Sequence, residues 1–189
     1  MSWLDGLTPT AVLTCAPALG QPAQAFVRAR DLVRAAKSLL RQGYFLEDLT
    51  GLDVAEGIQV LYHFDHMAAP GRVTLRVLVP REAAVVPSIV AVYSGAEWHE
   101  RECMDFFPVE FAGNPNPSRL LLPADMEEKP LAKDEKARAS LAALMQWTAL
   151  DIRDASAPEC VALAAKAAAA DAAAAAKGKA KAKEEEVGA

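Results

Sequence analysis

Cysteine is scarce in this chain. There are three in 189 residues, Cys15, Cys103 and Cys160, odd in number, far apart and with no C-x-x-C pair. A four-thiolate iron–sulfur cluster or a four-ligand structural zinc site needs about four ligands, more than these thiols supply. A disulfide framework is equally excluded, which favours a reducing compartment. Aromatics are few, at 6% of the chain, and too scattered for a base-stacking platform. No G-x-G-x-x-G, G-x-x-x-x-G-K-S/T or G-x-S-x-G occurs, so phosphate-cradling loops and nucleophile elbows have no sequence support.

Long apolar runs are missing too. No stretch approaches the roughly 20 residues needed to span a bilayer; the C-terminal alanine run is broken by Lys166, Asp171 and Lys177. Met1–Gly20 lacks the basic and apolar regions of a secretory signal. Positive charge is in deficit: the formal net charge is −5, while the tail from Val161 is slightly basic. An acidic body argues against a nucleic-acid surface. These readings predict a chain that is soluble, or peripheral to a membrane through a partner.

What is present is a strongly patterned body, 52% hydrophobic and 24% charged, enough for one packed domain with extensions. After a lead-in broken by Pro9, Pro17 and Gly20, three- and four-residue spacing of Phe26, Val27, Leu32, Val33, Ala36, Leu39 and Leu40 predicts a helix over 22–42, stopped by Gly43. Strands follow: Tyr44–Asp53, then Ile58, Val60, Tyr62 and Phe64 alternating with Gln59, Leu61, His63 and Asp65. After a Pro70-Gly71 turn comes the alternation Val73, Leu75, Val77, Val79. Short helices are expected at Pro87–Tyr93 and Ala96–Phe107, then a short strand at Val109–Phe111. This order predicts an α+β fold: a two-layer, ferredoxin-like domain over 1–112, with helices on one sheet face.

From Gly113 the pattern stops. Asn114-Pro115-Asn116-Pro117 fits neither a helix interior nor a central strand, and Leu120, Leu121 and Leu122 sit between Pro117 and Pro123. An aperiodic segment of this length is usually an interaction element, so 113–134 is read as an extended docking arm, its leucines buried against a partner. Helical spacing of Leu141, Leu144 and Met145 predicts a helix over 135–157. The Ala/Lys-rich stretch 158–189 is expected to be a low-complexity tail, helical or disordered.

Two polar clusters could carry chemistry. In Trp98-His99-Glu100-Arg101-Glu102-Cys103-Met104-Asp105, His99 and Cys103 are four apart, a spacing open to metal ligation with Glu100 nearby. The competing reading is an ion-pair network, Glu97–Arg101 and Arg101–Asp105, that fixes the helix against the following loop. His63-Phe64-Asp65-His66 is open to metal or proton binding, and equally to a solvated strand end.

The segment from Val86 to Asp134 resembles the complex I thirty-kilodalton family, the C-type subunits of NADH-quinone oxidoreductase. Its pattern runs V-P-S-I, A-x-W-x-E-R-E-x-x-D, F-x-G-H-P, R-x-L and D-x-x-x-x-P-L-R-K-D. Here it is met by Val86, Pro87, Ser88, Ala96, Trp98, Glu100, Arg101, Glu102, Asp105, Phe111, Gly113, Pro115, Arg119, Asp125, Pro130, Leu131, Lys133 and Asp134. The chain departs from it at Pro108 (usually Gly), Asn114 (usually His), Pro117-Ser118, Glu128 (usually Gly) and Ala132 (usually Arg).

The resemblance implies a subunit without catalytic residues, cofactor or metal of its own, placed peripherally on the cytoplasmic face of the inner membrane. Its partners would be the hydrogenase-like large subunit, of the D type, and a small cluster-bearing subunit. Iron–sulfur clusters, flavin and quinone would be held by partner subunits. The interface residues it implies are the signature positions from Trp98 to Asp134 together with Leu120, Leu121 and Leu122. The departures leave open the equivalent subunit of an energy-converting nickel–iron hydrogenase or a formate hydrogenlyase-like complex.

Overall fold

The computed structural model describes residues 2–20, 22–68 and 71–187. Along the chain run β1 (Pro9–Thr14), β2 (Ala23–Val27), α1 (Leu32–Arg41), β3 (Tyr44–Val54), β4 (Gly57–His66), β5 (Val73–Val79), β6 (Val85–Pro87), α2 (Ala96–Phe106), β7 (Glu110–Ala112), α3 (Leu141–Leu144), β8 (Ala149–Ile152) and α4 (Pro158–Val187). Six strands form one sheet in the order β3-β4-β5-β2-β1-β8; β6 and β7 form a separate parallel pair. Within the large sheet β2 and β5 run parallel and the other neighbours antiparallel. The fold is α+β.

Alternation along β4 decides what each sheet face buries. Ile58, Val60, Tyr62 and Phe64 point to one face and are fully buried. They join Leu75 and Val77 of β5, Leu32, Ala36 and Leu39 of α1, and Ala96 and Cys103 of α2 in one apolar cluster. The spacing of Leu32, Ala35, Ala36 and Leu39 is the stripe that lays α1 on that face.

The opposite face has a second cluster: Ala11 and Leu13 of β1 with Cys15 just after it, Phe26 of β2, Leu141 of α3, Met145, and Cys160 and Leu163 of α4. The face is partly polar: Arg76 donates to Gln24 Oε1 at 2.7 Å and to Gln59 Oε1 at 3.0 Å.

Several expectations change. The helix expected over 22–42 begins only at Leu32. Its first part is strand β2, because Ala23–Val27 fills the place between β1 and β5 and sends Phe26 to the second face. The lead-in contains β1, covered on both sides by β2 and β8. Pro87–Tyr93 makes turns instead of a helix, closed by Val92 and Tyr93 N–H groups on the Ile89 carbonyl.

Over 135–157 there is no single helix. Ser140 caps the four-residue α3, and the chain then straightens into β8, which pairs with β1 as the sheet edge. The tail begins as structure: α4 docks through Cys160 and Leu163, both essentially unexposed. It is fastened by Lys166, which donates to the Ala142 and Met145 carbonyls at 2.7 and 2.5 Å. Of the expected Pro70-Gly71 turn, Pro70 lies outside the described residues, as do the last two positions of the tail.

Candidate docking site

α2 holds one row of side chains inward. Ala96, Glu100 and Cys103, spaced by four and three, face the first cluster. Glu100 has no solvent exposure. Its carboxylate accepts the Ile89 N–H and the Asn114 side-chain amide, both at 2.8 Å. Burial pushes its pKa up, against those hydrogen bonds. Asn114 thus keeps a donor aimed at the same carboxylate. Gly113 precedes it with φ +92, in the left-handed region that turns the chain from β7 into the arm and that a β-carbon would strain.

The rest of α2 binds backbone. Arg101 donates through Nε to the Ser118 carbonyl at 2.9 Å and through Nη2 to the Arg119 carbonyl at 3.0 Å. Asp105, 1% exposed, accepts three successive N–H groups on one oxygen: Leu120 at 3.0 Å, Leu121 at 2.7 Å and Leu122 at 3.2 Å. Burial would raise its pKa, but these N–H groups and the Arg119 guanidinium outweigh it, and the net shift is downward. Hydrogen bonds that favour the ionised form act in that direction. Further on, Lys129 reaches the Met104 carbonyl and the Leu131 N–H donates to the Phe106 carbonyl at 3.2 Å.

The arm's end is pinned elsewhere. Asp53, closing β3, accepts the Lys133 N–H at 2.8 Å, pairs with Arg81 and lies 3.4 Å from Arg138. Glu56 accepts the Leu141 N–H at 2.7 Å. The arm is thus held along its length by its own domain.

The expected Arg101–Asp105 pair is not what those residues make. Arg101 lies 3.9 Å from Glu97, and both Arg101 and Asp105 turn to the arm's backbone. Their common work is fixing α2 against the following loop, as the network reading held, but through main-chain groups.

The outward side exposes large apolar side chains. Trp98 is 65% exposed, Leu121 59% and Leu131 50%. Trp98, Leu120 and Leu121 line an open groove of about 600 Å³ with Glu97 and Glu102 beside them. Leu120 and Leu122 are half-buried; Pro115, Asp125, Pro130, Lys133 and Asp134 are exposed. None of the three arm leucines enters either core cluster.

The metal-type clusters do not converge. His99 Nδ1 meets Asp48 at 3.3 Å, while Cys103 is buried in the core with its thiol pushed up to about 12 by burial and the nearby Glu102 and Glu100 charges. His63 contacts Thr74 Oγ1 at 3.1 Å and His66 the Gln42 carbonyl at 2.9 Å. Among the described residues no three His, Cys, Asp or Glu side chains meet at a point. None of the helices there is long and apolar enough to cross a membrane.

A family model described as "Respiratory-chain NADH dehydrogenase, 30 Kd subunit" matches residues 25–140, from within β2 to the residue before α3. The chain belongs to this family.

Among its relatives, the NADH-quinone oxidoreductase C subunit of Roseiflexus sp. (strain RS-1) is 36% identical over 139 residues, covering 69% of this chain and 79% of that one. The C subunit of Roseiflexus castenholzii is 39% identical over 94 residues, 48% of this chain and 54% of its own. The NADH-quinone oxidoreductase C/D subunit of Methylococcus capsulatus is 35% identical over 121 residues, 58% of this chain but 21% of that protein. The chain thus spans about half or less of these last two relatives. In fold it is similar to a chain of the membrane-bound sulfane sulfur reductase, an archaeal respiratory membrane complex, with TM-score 0.55, 24% identity, and 64% and 74% of the two chains covered.

Sequence reasoning reached α2 and the arm through their signature residues. It missed Asp53, Arg81 and Arg138. Asp53 meets Lys133 across 80 positions of sequence, and no local spacing announces such a contact.

Proposed function

We propose that this chain is a non-catalytic subunit of the peripheral arm of a complex I-like NADH:quinone oxidoreductase, and that it docks on the hydrogenase-like large subunit through the surface formed by α2 and the arm. In this reading it also neighbours the small cluster-bearing subunit. Iron–sulfur clusters, flavin and quinone belong to its partners, and it meets the cytoplasmic face of the inner membrane only through them.

One observation carries the reading. The signature side chains Glu100, Arg101 and Asp105 use their polar groups within the chain, holding the arm's shape. Trp98, Leu121 and Leu131 are left in solvent. Large apolar side chains held outward on a fastened loop have their use in an interface. A catalytic site would instead aim polar groups into a cleft.

The test is isolation of the gently solubilised native complex through a tag on this chain, with subunits identified by mass spectrometry and metals measured. The expected result is a large subunit without nickel-ligating cysteines, accompanied by NADH- and quinone-handling subunits. Nickel, with those cysteines retained, would place the chain in a hydrogenase; recovery of the chain alone would overturn docking altogether.

A further inference from the structure

The groove between α2 and the arm has a charge character that narrows what can occupy it. Its apolar surface comes from Trp98, Leu120 and Leu121. Three cations near it are engaged inside the chain: Arg101 on the Ser118 and Arg119 carbonyls and 3.9 Å from Glu97, Lys129 on the Met104 carbonyl, and Arg119 3.9 Å from Asp105. Four carboxylates are not. Glu102 on α2 and Asp125, Glu127 and Glu128 on the arm are exposed, and none is in an ion pair among the described residues. Glu102 follows Trp98 by four positions, on the same helix face. The groove therefore presents an indole beside the Glu102 carboxylate, for which no ion pair is found among the described residues.

Resting on the docking reading above, we infer that the occupant is a segment of the large partner that bears an aliphatic side chain with Arg or Lys beside it: the aliphatic group seats against Trp98 and Leu121, and the cation faces Glu102. A guanidinium at this spot has two attractions at once, the indole face and the carboxylate. A second copy of this chain is a poor occupant, because its own matching surface carries the same negative charge. An acidic membrane surface is disfavoured for the same reason.

The experiment places a photoreactive p-benzoylphenylalanine at position 121 of the tagged full chain, in the gently solubilised complex, and sequences the cross-linked peptide. Alongside it, recovery of the large subunit is measured for the wild type over a salt series and for Trp98→Ala, Glu102→Gln and Glu102→Lys. The expected peptide comes from the large subunit and has Arg or Lys adjoining an aliphatic residue.

Trp98→Ala should lower recovery about thirty-fold, as loss of an interfacial anchor does. Recovery should fall in the order wild type, Glu102→Gln, Glu102→Lys, and should weaken with salt. All three variants change solvent-facing side chains, and circular dichroism checks that their fold is kept.

A cross-link to a second copy, to lipid, or to a peptide without basic residues overturns the inference. So does recovery indifferent to Glu102→Lys and to salt. In each of these cases a large subunit still recovered by the wild type leaves the docking reading standing. A wild-type chain that brings down no other protein removes that reading itself.

Discussion

The Oδ2 atom of Asp105 lies 2.7 Å from the backbone nitrogen of Leu121, and the same oxygen takes the N–H groups of Leu120 and Leu122. One buried carboxylate at the end of α2 therefore sets the curvature of the loop that turns Leu121 outward.

Asp105→Ala should destabilise the chain by about 3 kcal/mol, since it removes charge-assisted bonds and leaves their donors unmatched. Asp105→Asn keeps one acceptor oxygen and should lose roughly half as much. Urea unfolding of the purified full chain measures both. If Asp105→Ala unfolds at the wild-type midpoint, the carboxylate does not organise the arm.

Acid should act through the same group. The pKa of Asp105 is held below the ordinary 3.8 in the folded chain. Its stabilisation is therefore fully present above 3.8 and is lost as pH falls through the lower folded value. Glu100 has the opposite sign: its folded pKa is raised above the ordinary 4.5, so its contribution is present below 4.5 and declines as pH rises through the folded value. Comparing the pH dependence of unfolding in wild type, Asp105→Asn and Glu100→Gln separates them. Asp105→Asn should flatten the acid limb and Glu100→Gln the limb above 4.5. Unchanged limbs would contradict both assignments.

Gly51 faces the ring of Phe107, and a β-carbon there would come within 2.5 Å of it. Gly51→Ala should cost about 1–3 kcal/mol by overpacking. The double variant with Phe107→Leu should recover part of the loss, which a thermal unfolding cycle over the four proteins would show. Additive losses would mean that the ring is not the obstacle.

Leu163 is fully buried in the second cluster, so Leu163→Ala should cost about 2–5 kcal/mol. Val161, two positions away and exposed, should tolerate alanine within about 0.5 kcal/mol. Denaturant midpoints of the two variants test whether the start of the Ala-rich helix belongs to the domain. Equal midpoints would make it an appendage.

Much of this was legible along the chain, for local reasons. β3, β4, β5 and α2 announce themselves because a period of two or of about 3.6 is written in consecutive residues. The arm does so because proline and asparagine remove the backbone options. β2 was hidden because Ala-Gln-Ala-Phe-Val continues a helical spacing into α1, and its neighbours overrule that local preference. β8 escaped notice because Ala149–Ile152 is four residues long and becomes a strand only where β1 offers an edge. Of the docking site, the signature residues and the outward leucines could be named, but not what the polar ones hold.

Residue order and side-chain chemistry were enough to establish the family, the α+β class, the breakdown of regular structure at Gly113 and the excess of acidic over basic side chains. Each of these is encoded within a few residues of itself. Contact in three dimensions established the rest: that Arg101 grips the Ser118 and Arg119 carbonyls and not Asp105, that Asp53 closes the arm from 80 positions away, and that Trp98 and Leu121 share one groove. Side-chain bonds to distant backbone have no periodicity to read, since nearly every residue offers the same N–H and C=O, and folding alone selects which of them is near.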